Sequence, residues 1–147
     1  MLLWGLKTEA AFDLWSLEHL ANGIAMAAAA QFILRSLVKN KIPEAQRVFF
    51  SLTLVIAAAL FWENAEHYIE AGLLSGAWGE RVTFWFAGIE HWTNRLLGDN
   101  LMIFFGWLIY TKKPRFAFAA KLFSTVWLLL HILVFPDSMY LQRLISP

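Results

Sequence analysis

Four histidines and a set of acids stand out in an otherwise apolar chain: His19, His67, His91 and His131, with Glu63, Glu66, Glu70 and Asp99. Imidazole nitrogen and carboxylate oxygen are ligands for zinc, iron, manganese or copper, and two histidines with one carboxylate form a recurrent ligand set. The expected ligands are His19, Glu63 and His131, with His67, Glu66 and Asp99 as further ligands or as groups that orient the imidazoles. A transition metal held there lowers the pKa of a bound water, and Glu66 or Asp99 is then the general base.

The same imidazoles allow a second chemistry. Two histidines at one height on facing helices ligate a haem, and one alone can ligate a chlorin magnesium. The available pairs are His19 with His131 and His67 with His91. A third expectation needs no ligand: the inward polar groups only hold helices together in a small accessory subunit. The aromatic stretch 78–86 would then dock on a larger membrane complex or a second copy. There is no His-Glu-x-x-His, no Gly-rich phosphate loop and no Gly-x-Ser-x-Gly elbow. Glu63 and His67 are spaced Glu-x-x-x-His, one residue longer than the Glu-x-x-His of soluble di-iron bundles. With no cysteine, disulfides, thiolate metal sites and cysteine nucleophiles are excluded.

The elements that must position these residues follow from composition. Of 147 residues, 59% are hydrophobic and 16% charged, and the mean hydropathy is +0.54. Soluble domains average roughly 45–50% apolar and about 25% charged. This is the composition of a membrane protein, not of a nucleic-acid binder or a disordered tail, and the length suits a single domain spanning 1–147. Runs free of Asp, Glu, Lys and Arg cover 19–34, 48–62, 100–111 and 122–136, and each is extended at one end by polar residues. They predict helices over 13–37, 46–71, 89–112 and 115–136, an all-α integral membrane four-helix bundle. Pro43, Pro114 and Pro136 fall at or between the helix ends. The connection 72–88 carries Trp78, Phe84, Trp85 and Phe86 among glycines and reads as an interfacial segment. Alanines at 25, 27–30 and 57–59 predict close packing of the first two helices.

Charge sets the orientation. Eight of the twelve bases flank the first and third connections, whereas ten of the eleven acids lie toward the other side. The positive-inside rule places the basic side in the cytoplasm and both termini outside, in a multi-pass protein of a bacterial-type inner (plasma) membrane. At a rise of about 1.5 Å per residue, His19, Glu63 and His131 lie about 24 Å above the basic boundary, with Asp99 near 20 Å and His67 and His91 near 30 Å. Glu63, Glu66, His67 and Glu70 share one helical stripe that must face inward, because lipid is the alternative. Arg95 and Asp99, four apart, are expected to pair. Glu9, Asp13, Glu80, Glu90 and Asp137 are expected to be solvated outer charges.

The order of these polar features resembles that of the VanZ-like group of small polytopic bacterial membrane proteins. The residues that carry it are His19 early in one helix, the stretch from Trp62 to His67 at the outer end of the next, and Asn94 with Gly98, Asp99 and Asn100 opening a third. Trp15 stands where the group would have Asp before the first histidine, and Glu66 where it would have Gln. The likeness covers roughly residues 13–110 and implies a membrane protein acting near the envelope on lipid-linked or glycopeptide-related chemistry.

Overall fold

The computed structural model describes residues 2–38, 41–86 and 88–133, without the side chains of 85 and 131–133. Helices dominate: α1 (Leu14–Val38), α2 (Glu44–Glu70), α3 (Gly76–Phe86), α4 (Asp99–Lys112) and α5 (Phe116–Leu133). A π-helical turn over Asn94–Gly98 leads directly into α4. Two three-residue strands precede α1, β1 (Leu2–Trp4) and β2 (Ala10–Phe12), so the chain is mostly rather than wholly helical. They pair in parallel, Leu2 opposite Ala10 and Trp4 opposite Phe12, with a helical turn at Leu6 as the short crossover.

α1 and α2 are long and apolar enough to cross a membrane by length and composition. The connection read as interfacial contains α3, tied to the end of α2 by the Thr83 hydroxyl, which donates to the Ile69 carbonyl at 3.1 Å. Positive φ at Gly72 and Gly76 turns the chain between the two helices.

The closest helix pair is α1 with α4, not α1 with α2 as the alanine runs suggest. Glycines explain the difference. A Cβ on Gly23 would fall 2.8 Å from the carbonyl carbon of Ile103, and one on Gly106 would fall 2.8 Å from the Ile24 nitrogen. The backbones of α1 and α4 can therefore cross in direct contact. α2 joins them through a small core of Ala27, Ala30, Val55, Ala59, Ile103 and Trp107. Trp107 donates its indole N–H to the Ser51 hydroxyl at 3.1 Å, which satisfies the one polar atom of the largest side chain there. α5 leans on α1 through Ala21, Ile24 and Ala120.

Burial is inverted relative to a water-soluble fold. Among the described residues, buried positions include Lys7, Asp13, His19, Glu63, Glu66, Glu70, Glu90, Asn94, Arg95 and Asp99, while Phe32, Phe61, Trp78 and Phe118 point outward. Asp13 and Glu90, expected as solvated charges, are thus interior, whereas Glu9 and Glu80 are exposed as expected. Asp137 lies outside the described residues.

Candidate metal centre

Three helices each contribute one side chain to a buried triad. α1 supplies His19, α2 supplies Glu63, and α4 supplies Asp99 at its first residue. One ligand atom from each lies within 4.8 Å of the other two. His19 Nε2 is 3.5 Å from Glu63 Oε1, and His19 Nδ1 is 3.6 Å from Asp99 Oδ1. The chain folds this way locally because the Gly23–Ile103 and Gly106–Ile24 contacts bring α1 and α4 together one to two turns below His19 and Asp99.

His19 is oriented by its own helix. Its Nδ1 donates to the Trp15 carbonyl at 2.9 Å, so in the neutral ring the unprotonated Nε2 faces the Glu63 carboxylate. Two acceptors facing each other repel unless a proton or a cation stands between them. Neither oxygen of Glu63 has a hydrogen-bond partner among the described residues, although its side chain is 1% exposed. Donors held at about 2.0–2.2 Å by one tetrahedral ion sit about 3.4 Å apart. The observed 3.5 Å is compatible with such an ion.

Asp99 is held from two sides. With its amide nitrogen turned toward the carboxylate, Asn94 of the π-helical turn donates to Oδ2 at 2.9 Å and Oδ1 at 3.1 Å. The Ser16 hydroxyl lies between two acids, 3.3 Å from Asp13 Oδ1 and 3.4 Å from Asp99 Oδ1. Asp13 in turn caps α1: its Oδ1 accepts the Ser16 N–H at 3.0 Å, and its own N–H donates to Ser16 Oγ at 3.1 Å. Burial raises the Asp13 carboxyl above its ordinary value against the opposing effect of the Ser16 hydrogen bond. The spacing Asp13-x-x-Ser16 is a helix-start signal that could have placed Asp13 inside.

A second buried group adjoins the first. Glu66, Glu70 and Glu90 bring one oxygen each within 4.8 Å of the others, and here cations are already present. Glu70 pairs with both Lys7 and Arg95 and also accepts the Glu90 N–H at 3.0 Å. Lys7 donates as well to the Phe86 carbonyl at 2.7 Å. Burial, with Asp99 and Glu66 nearby, pushes Glu90 up to about 10. This second cluster is an internal salt-bridge network. Sequence spacing missed Lys7 and Glu90, and it paired Arg95 with Asp99 where the fold gives Arg95 to Glu70.

Of the other expected ligands, His67 and His91 are placed elsewhere. Glu66 is buried on the same stripe as Glu63 and Glu70, but His67 lies at the exposed edge of α2, where its Nδ1 accepts from Arg95 Nη1 at 2.9 Å. His91 precedes the π-helical turn, with Nδ1 2.7 Å from the Thr93 hydroxyl. Neither belongs to the triad. His131 is in the last turns of α5, and its side chain lies outside the described residues.

Comparison of the chain with family models, with curated proteins and with solved structures gives no match.

Proposed function

We propose that this protein is a membrane-embedded metalloenzyme in which His19, Glu63 and Asp99 hold one divalent transition metal. The observation that carries the proposal is the Glu63 carboxylate, buried without a hydrogen-bond partner among the described residues and facing Nε2 of His19. An uncompensated charge in that position is costly, and a cation removes the cost. Three protein ligands of mixed nitrogen and oxygen type leave a coordination position open, the pattern of catalytic rather than structural sites. Bound there, the ion supplies Lewis acidity. Glu66, one turn along α2 and buried, is the carboxylate placed to accept a proton.

Four membrane-crossing helices, with both termini and the triad toward the outer leaflet of an inner membrane, are part of the same proposal. It is supported by the charge asymmetry and by the outward-facing Phe, Leu and Trp side chains around a polar interior. A site enclosed by lipid-facing helices suits a lipid or other amphiphile as substrate, in keeping with the VanZ-like order of His19, Glu63 and Asp99. A haem or chlorin is less well supported, because His19 is met by two carboxylates and not by a second imidazole.

The test is elemental analysis with an absorption spectrum on full-length protein purified in mild detergent. About one zinc, iron, manganese or copper per chain, lost in His19→Ala and Glu63→Gln, is expected. Metal-free protein that does not take up any of these ions would reduce the triad to a structural ion cluster. A Soret band would favour the haem alternative.

A further inference from the structure

A groove of about 420 Å³ runs along α4, lined by Leu20 of α1 and by Met102, Phe105, Leu108, Ile109 and Lys112. The five α4 residues recur at three- and four-residue intervals, so they form one stripe of the helix. From Met102 to Lys112 the stripe rises about 15 Å, half of the roughly 30 Å hydrocarbon core and so the depth of a single leaflet. Among the described residues the stripe is open, because α5 packs mainly on α1 and touches α4 sparingly. Ile109 marks the seam, since it also packs against the Ala21, Ile24 and Ala120 cluster beside α5.

The groove is polar only at one end. Lys112 closes it, and Lys113, Arg115 and Lys121 follow on the same basic side of the chain. Lys112 and Lys113 are both exposed, and no acid occurs between Asp99 and Asp137 to neutralise them. An apolar channel one leaflet deep that ends in uncompensated positive charge is complementary to one kind of molecule, an acyl chain attached to an anionic headgroup.

We infer that this groove seats one acyl chain of an anionic phospholipid whose phosphate is met by Lys112. Its headgroup end lies on the basic side, and its deep end, at Leu20 and Met102, lies beside His19 and one turn from Asp99; we place a resident lipid there and not the substrate. It rests on the proposal that the helices cross a bilayer, and it goes beyond that proposal by naming a headgroup class and the residue that selects it.

The test uses the full-length chain purified in mild detergent with phosphatidylglycerol or phosphatidylcholine added, and counts retained lipid by native mass spectrometry. One phosphatidylglycerol per chain should be retained about fivefold better than phosphatidylcholine, the factor expected of one lysine near an anionic headgroup. Lys112→Gln should abolish that preference. Lys41→Gln, an exposed lysine outside the groove, should leave it unchanged. Met102→Trp, which fills the deep end, should lower retention of both lipids without removing the preference among what remains. Equal retention of the two lipids by the unaltered chain, or equal effects of Lys112→Gln and Lys41→Gln, overturns the inference. Alkaline extraction of native membranes separates the two failures: a chain that stays in the membrane yet shows no preference refutes only the lipid site, whereas a chain released into the supernatant refutes both.

Discussion

The Nε2 atom of His19 lies 3.5 Å from Oε1 of Glu63, while its Nδ1 is committed to the Trp15 carbonyl at 2.9 Å. In the neutral ring the second bond fixes the tautomer, and the first contact is then an electron pair directed at a carboxylate. Holding the distal imidazole nitrogen by a backbone carbonyl is how proteins orient metal-binding histidines.

Glu63→Gln is expected to separate function from stability. The variant should lose the bound ion, yet in chelator its thermal midpoint should equal or exceed that of the unaltered protein, because a buried charge without a partner has been removed. Unfolding scans with and without EDTA check this. A fall in midpoint under chelator would show that the Glu63 charge is satisfied as it stands.

Asn94→Leu and Ser16→Ala remove the two groups that hold Asp99. Each should weaken metal binding by about 10- to 100-fold while leaving all three ligands in place. Competition titration against a chromogenic chelator gives the number. Unchanged affinity in both variants would remove Asp99 from the ligand set.

Glu70→Ala should cost about 3–5 kcal/mol, since it strands Lys7 and Arg95 in the interior. Adding Lys7→Met should recover part of the loss, and limited proteolysis should show cleavage near residues 2–12 in the single variant. An equal loss in single and double variants would mean that the Lys7 pair contributes little.

Gly23→Ala should destabilise by about 1–3 kcal/mol, because the new Cβ meets the Ile103 backbone, which cannot move aside as a side chain could. As α1 and α4 carry His19 and Asp99, metal affinity should fall as well. Retained affinity at lowered stability would show that the helix crossing does not set the triad.

Glu90, in the connection before the π-helical turn, provides a pH signature. Its carboxyl is raised to about 10 in the fold, so the fold prefers the protonated form. The stabilisation is complete below the unfolded value of about 4.5 and is lost as pH rises toward the folded value. Glu90→Gln should therefore raise the thermal midpoint near neutral pH by a few degrees, and the advantage should shrink to nothing near pH 4. A constant offset across that interval would refute the assignment.

Much of the triad was legible from helical counting. Equal heights for His19 and Glu63, with Asp99 slightly lower, required only a fixed rise per residue and the basic residues as a ruler. The inward stripe was also legible for Glu63, Glu66 and Glu70, because acids three and four apart on an apolar helix share one face and need partners there. His67 departs from it because a long Arg95 side chain reaches the helix edge and supplies a donor there. The burial of Lys7 left no periodic trace, since it lies in the turn between two three-residue strands. The Arg95 pairing failed for a related reason. Spacing reveals neighbours on the same helix, whereas Glu70 comes from another one. The close α1–α4 crossing could have been suspected from Gly23 and Gly106, but a glycine by itself does not name its partner.

One carboxylate, that of Glu70, ties together the start of the chain, the end of α2 and the stretch that opens α4. During synthesis, Lys7 emerges sixty-three residues before the group that receives it. The Lys7–Glu70 pair therefore cannot form until α2 has been made to its end. A bulky fusion ahead of Leu2 would load that delayed docking step.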